Sequence, residues 1–233
     1  MPNWCYNYLS AEGSEDEISK LKLQLNRPFT KVHDQWNPET NKMEMKEYSY
    51  SNPVFAFHNI YNHKQDGISD EIYNSQADHS VPLQEQLMFA GNNWYDWNVR
   101  NWGTKWDVAI GDKDEYPDTE MTCDDTKFIS YQFNTAWSPP LAGIEKLIEQ
   151  YPSLNFTLSY EEETGWGGEI SWEEGVLTEN TEYGWKCKEC DHMEDETPYC
   201  EECEFDTCPE CGYNEADEAC EQHSEGHNAH LFA

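Results

Sequence analysis

The chain has 233 residues, with 47 Asp or Glu against 14 Lys or Arg and a formal charge of −33. Such a charge repels phosphates and acidic membranes, so direct nucleic-acid binding is not expected and basic polypeptides are the favoured partners. No run of about 20 apolar residues could span a bilayer, while 10 Trp, 14 Tyr and 9 Phe argue against disorder and for an aromatic core under an acidic skin.

The chain opens on "MPNWCYNYLS", without a basic, apolar leader, so a cytoplasmic, reducing setting is expected. Asn3 to Leu9 alternates and is aromatic, which predicts a strand. Ser14 with Glu17 three residues on predicts a capped helix, with Ile18, Leu21, Leu23 and Leu25 as its apolar stripe and Pro28 beyond its end. From Thr30 to Asp125 the periodicity is weak. "PVFAFHNIYN" reads as a strand or a buried helical turn, and "NNWYDWNVRNWGTKWDVAI" as a short helix, a break at Gly103 and a strand from Lys105 to Ile110. "KFISYQFNTAWSPP" predicts a strand, with Ser138 then capping a helix that has Pro139 at its first position. That helix puts Leu141, Ile144, Leu147 and Ile148 on one face. Leu154, Phe156, Leu158 and Tyr160 alternate as in a half-buried strand, "GWGG" predicts a turn, and "EISWEEGVLTEN" a returning strand with an acidic outer face.

Strand, helix and strand thus recur near both ends of the first 180 residues. The pattern predicts an α+β fold, an antiparallel sheet with helices on one face. Near Asn180 apolar periodicity stops and CxxC pairs begin, which divides the chain into domains 1–180 and 181–233.

The pairs are Cys187/Cys190, Cys200/Cys203 and Cys208/Cys211, followed by Cys220, His223, His227 and His230. A CxxC turn presents two thiolates about one tetrahedral edge apart. Three pairs and two further ligands make eight donors, enough for two closed Zn2+ sites, and a reducing compartment favours metal over disulfides. The tail has few large apolar residues, so zinc is expected to supply its folding energy. Four protein ligands per ion leave no position for a water, so structural and not catalytic zinc is expected.

The stretches "MPNWCYNYL", "WGTKWD" and "YQFNTAWSPP", with a later "GG" before a strand, resemble a family of bacteriophage and plasmid proteins, the YubB-type or phage ferredoxin-like-domain proteins, over roughly residues 1–178. The resemblance implies a ferredoxin-like topology and a phage or mobile-element origin, and it implies no activity. Cys5 and Cys123 are too few for an iron–sulfur cluster and read as small buried hydrophobes. Trp4, Trp102, Trp106 and Trp137 read as core, with a stacking or ligand-binding surface as the alternative.

"YCEECEFDTCPEC" and "GHNAHLF" resemble the ZZ-type zinc finger. The likeness implies cross-bracing, with one zinc on Cys187, Cys190, Cys208 and Cys211 and the other on Cys200, Cys203, His227 and His230. Cys220 or His223 could substitute, because the Cys203–Cys208 spacing is one residue short and the stretch before His227 is long, and a serial pairing with Cys187, Cys190, Cys200 and Cys203 on one ion is the alternative to cross-bracing. The likeness also implies a protein-binding module, in which Asp206, Glu204 and Asp191 hold a basic surface or a peptide N-terminus. The functional expectation is a non-enzymatic, zinc-binding accessory protein that contacts a host or phage protein. The alternative is an acidic DNA mimic that inhibits a nucleic-acid-binding or defence protein. An enzyme is a third reading: "YEEETGWGGEISWEEG" is rich in carboxylates, but a Glu run on a strand and turn reads as a solvated face, and no nucleophile elbow or phosphate loop is present.

Overall fold

β1 (Trp4–Glu12) buries Cys5, Asn7, Leu9 and Ala11, while Tyr6 and Tyr8 between them are exposed. A period of two is what a strand needs when only one face of its sheet is covered. The computed structural model describes residues 2–75, 91–108 and 119–184, and the backbone of residues 185–186, 193–194, 199–200 and 205–206. In it β1 lies antiparallel between β5 (Phe128–Ala136) and β6 (Asn155–Glu162), with Leu9 opposite Tyr131 on one side and Leu158 on the other. β4 (Glu120–Asp124) continues the sheet beyond β5, and β7 (Gly167–Glu173) and β8 (Val176–Tyr183) continue it beyond β6. The order is β4-β5-β1-β6-β7-β8, and every neighbour is antiparallel.

α1 (Glu15–Leu25) follows β1, and α5 (Leu141–Gln150) follows β5. β1–α1–β4 and β5–α5–β6 are therefore two βαβ units, each with a strand of the other between its own two. That interleaving is the ferredoxin-like arrangement, here lengthened by the β7–β8 hairpin. α1 begins at Ser14, whose hydroxyl accepts from the Glu17 N–H at 3.4 Å and donates to its carboxylate at 3.1 Å. Ile18, Leu21 and Leu25 are buried, but Leu23 is 67% exposed, because it lies across the 3.6-residue turn from the other three. α5 buries Ile144, Leu147 and Ile148 as expected. Its N-cap is Pro140, without a side-chain bond; the Ser138 hydroxyl instead donates to the Gly103 carbonyl at 2.7 Å. The turn expected at "GWGG" is carried only by its first glycine: Gly165, at φ 99°, donates its N–H to the Glu162 carbonyl at 2.8 Å in the β6–β7 reversal, whereas Gly167 and Gly168 open β7. "EISWEEGVLTEN" forms two strands, reversed at Glu174–Gly175, where both residues have positive φ. The composition change at Asn180 falls inside β8.

Between α1 and β4 the chain inserts a hairpin, β2 (Phe29–Asn37) and β3 (Lys42–Tyr50), and then short helices. These are α2 (Phe57–Ile60), a 3₁₀ turn (His63–Asp66), α3 (Asp70–Tyr73) and α4 (Trp94–Trp102). Phe55 and Phe57 pack on Phe133 of β5, with ring centroids 4.8 and 5.8 Å away. Ala56 cannot cap α2, and Asp107 does so from 50 residues away: its carboxylate accepts from the Phe57 N–H at 2.7 Å and the His58 N–H at 3.1 Å. The strand expected at Lys105 to Ile110 is absent from its described part, 105–108, because this stretch turns Asp107 inward. Trp97 and Trp102 are buried, and their indole N–H groups donate to Asp66 at 2.7 Å and to the Tyr61 carbonyl at 2.8 Å.

His58 stacks on Phe29 with centroids 4.3 Å apart, and burial, more than the neighbouring Lys31 charge, pushes its imidazole down to about 3. The unfolded chain takes up this proton near pH 6.5 and the folded chain only near 3, so the contribution of His58 to stability is present above 6.5 and is lost as pH falls through that window. Replacing it by Phe should flatten the dependence of the unfolding free energy on pH between 6.5 and 4.5, by up to about 1.4 kcal/mol per pH unit. Urea denaturation of both proteins across that range measures the difference.

Candidate functional site

The helices and the insertion cover one face of the sheet. On the other face, Tyr6 and Tyr8 are 45% and 40% exposed. At the level of Tyr8, the strand pairings line up Glu120, Gln132, Tyr8, Ser159, Glu169 and Thr181 in one row across the sheet. The row two residues along holds Asn134, Tyr6, Glu161, Gly167 and Tyr183. Side chains of these two rows line an open cavity of about 400 Å3. Each row contributes a carboxylate steadied by a hydroxyl. Ser159 donates to Glu169 at 2.6 Å, and Tyr183 donates to Glu161. Burial, then the Glu161 charge, raises the Tyr183 phenol above its ordinary range, so it stays a donor at neutral pH. Two anchored carboxylates beside tyrosine rings suit an ammonium or guanidinium on an extended chain.

The two glycines of β7 shape this groove. A Cβ on Gly167 would stand 2.3 Å from the Tyr160 carbonyl oxygen and 2.6 Å from the Tyr183 hydroxyl. A Cβ on Gly168 would stand 2.6 Å from the Thr181 carbonyl oxygen and 2.7 Å from the Tyr160 hydroxyl. Tyr183 thus lies over Gly167 on the groove side, and Tyr160 over Gly168 on the core side. Glycine in a strand here gives a ring its resting place.

A second cluster is built by "WGTKWD". Trp102 ends α4 in the core, and Gly103 stops the helix at φ 84°, so close to α5 that a Cβ would be 3.1 Å from the Leu141 nitrogen. Thr104 clips this stretch to the end of β5: its hydroxyl accepts from the Ala136 N–H at 3.2 Å and donates to the Ala136 carbonyl at 3.3 Å. Lys105 and Trp106 are thereby held opposite Trp137, whose ring centroid is 6.0 Å from that of Trp106. Trp4 adds to the cluster, 6.4 Å from Trp106. Of the four tryptophans read as core, only Trp102 is fully buried, and Trp137 is 44% exposed.

Cys5 is buried, and its thiol is pushed up to about 12, which makes it inert. Cys123, expected to be buried, is only partly so, because β4 is an edge strand. Of the expected metal ligands, Cys187, Cys190, Cys203, Cys208, Cys211, Cys220, His223, His227 and His230 lie outside the described residues, as do Glu204 and Asp191. Cys200 and Asp206 are described by backbone alone. Cys200 ends β11 (Tyr199–Cys200), which pairs antiparallel with β12 (Phe205–Asp206). β9 (Trp185–Lys186) pairs likewise with β10 (Met193–Glu194), so Cys187 and Cys190 fall in sequence between two paired strands. Among the described residues no three His, Cys, Asp or Glu side chains form a metal-holding group, and no helix is long and apolar enough to cross a membrane.

The tyrosine groove was missed because Tyr6 and Tyr8 alternate with Leu9 and Cys5, so both faces of β1 look apolar in sequence. Gly167→Ala should destabilise the fold by about 1–3 kcal/mol, because the clash with the Tyr160 carbonyl oxygen is a backbone one. Tyr183→Phe should cost about 1 kcal/mol or less, since it removes only the bond to Glu161. Chemical denaturation of the two variants ranks them.

No curated protein sequence matches the chain. A crystal structure of the protein api92 from Yersinia pseudotuberculosis aligns with 79% of this chain and 99% of its own, at 10% identity and a TM-score of 0.44. Residues 105–201 match the family model described as the ferredoxin-like domain in Api92-like protein, in agreement with the ferredoxin-like strand order of the sheet.

Proposed function

We propose that this protein is a non-catalytic binding protein that docks a basic polypeptide segment on the open face of its sheet. The observation that carries the reading is the groove itself. Glu161 and Glu169, each held by a neighbouring hydroxyl, stand beside Tyr6, Tyr8 and Tyr183 in a cavity of about 400 Å3. The −33 charge of the chain draws a cationic segment to it and repels phosphates. In a phage or mobile-element setting the partner is a host or phage protein.

The cysteine-rich tail enters this reading as a second, zinc-held module. Its support is the spacing of the three CxxC pairs, and two short antiparallel strand pairs, one flanking Cys187/Cys190 in sequence and the other including Cys200. The donor set is thiolate and imidazole, which suits structural Zn2+. Cys187, Cys190, Cys208 and Cys211 would hold one ion, and Cys200, Cys203, His227 and His230 the other. The metal supplies folding energy, on the order of 10 kcal/mol in small finger peptides, and Asp206, Glu204 and Asp191 would then hold a peptide amine. The charge also favours a second reading, a DNA mimic, with the exposed acidic β8 as part of the mimicking surface.

A labelled Lys/Arg-rich peptide followed by fluorescence anisotropy tests the groove. Glu161→Gln with Glu169→Gln should weaken binding about tenfold, and salt should weaken the wild type in the same direction. Binding indifferent to both changes refutes the groove, and capture of a DNA-binding enzyme that DNA competes away favours the mimic. For the tail, elemental analysis should find two zinc per chain, and chelation should expose residues beyond 186 to protease while residues 2–75 stay protected. Less than one zinc per chain, or an unchanged digest, removes the metal module.

A further inference from the structure

Lys105 sits inside a ring of aromatic side chains. Its Nζ is 4.6 Å from the centroid of Trp106, 4.7 Å from Trp137, 5.6 Å from Tyr95 and 5.8 Å from Trp94. All four fall within the roughly 6 Å over which a ring attracts a cation. Two of the walls, Trp137 and Tyr95, are 44% and 45% exposed, so the enclosure opens to solvent. Trp137 is also held in an uncommon backbone conformation, φ 66°, with its N–H donating to the Asn3 carbonyl at 2.9 Å. A bulky residue in the left-handed region costs about 1–3 kcal/mol. Core packing does not account for that cost, because the indole it aims is largely outside the core.

We propose that Trp94, Tyr95, Trp106 and Trp137 form a binding site for a methylated or quaternary ammonium group, with Lys105 as its resident, displaceable occupant. A primary ammonium is strongly hydrated and loses much of that hydration among four rings. A quaternary ammonium loses less and offers methyl surface to every wall. Lys105 is on a flexible stem and swings out without disturbing the backbone clip at Thr104. The −33 field of the chain concentrates cations at the opening. This site stands on its own geometry and does not rest on the groove reading.

The test is a titration of the full chain with tetramethylammonium chloride, followed by tryptophan fluorescence, with sodium chloride at matched ionic strength as the reference. Wild type should show a saturable response at millimolar concentrations. Lys105→Ala should bind about tenfold more tightly, as it would if Lys105 fills the cage nine-tenths of the time. Tyr95→Ala, an exposed change that leaves the fold intact by circular dichroism, should weaken binding in the Lys105→Ala background, and Trp137→Ala should abolish it. Glu161→Gln with Glu169→Gln should leave the response unchanged, which separates this site from the groove. A response in Lys105→Ala that never saturates, or one equal in the presence and absence of the Tyr95 ring, overturns the proposal.

Discussion

Leu9, held between Tyr131 and Leu158 at the centre of the sheet, is the contact on which the rest depends. Paired on both edges and covered on one face, β1 has no freedom of register. A slip of one residue would expose Leu9 and bury Tyr8. Asn7 locks the same register by another means. It is 1% exposed, and its amide donates to the Cys5 carbonyl at 2.8 Å and the Thr135 hydroxyl at 2.9 Å. The Cys5 bond lies within β1 and survives a slip, so the Thr135 bond from β5 is the one that ties the buried amide to this register. The open-face position of Tyr6 and Tyr8 is therefore a by-product of the core, and the groove is as rigid as the core.

The acidic composition follows from the same division. The covered face takes the aliphatic and aromatic residues, and the carboxylates collect on β7, β8 and the turns. β8 is the sheet's edge, and every residue from Val176 to Glu182 is exposed. An edge of eight residues would ordinarily recruit another strand. Glu179 and Glu182 repel a second acidic copy and so protect this edge by charge. The edge thus tolerates Val176 and Leu177 at 65% and 54% exposure.

Where one period dominated, the sequence was readable. β1, α1, β6 and α5 each have a single covered face, and their apolar positions recur at two or at 3.6. The insertion was not readable, because its order comes from long-range polar contacts. Asp107 caps a helix 50 residues earlier, and Asn59 donates to the Leu25 and Arg27 carbonyls at the end of α1. Nothing local signals such pairs. "GWGG" was half-readable for a related reason: Gly165 does serve the turn, but Gly167 and Gly168 serve rings contributed by Tyr183 and Tyr160 from neighbouring strands. Of the candidate sites, the cysteine spacing is legible in sequence alone. The groove and the tryptophan cluster exist only once β1, β5 and the stretch after α4 are brought together.

Trp4 shares a strand face with Tyr6 and Tyr8 and lies 6.4 Å from Trp106, so an aromatic line runs along β1 from the groove to the Lys105 cluster. The two ends of that line favour cations by different physics. Glu161 and Glu169 act through charge, which salt screens over about 10 Å. The rings act at contact range on a desolvated ion, where added salt matters little. A hydrated lysine or arginine gains most at the carboxylates and loses hydration among the rings. A methylated ammonium gains less from the carboxylates and more from the rings. One extended segment carrying both groups would satisfy both ends at once, while a compact polycation or a lone alkylammonium would satisfy one. On the docking proposed above, the open face would select for sequence order along the partner as well as for its charge.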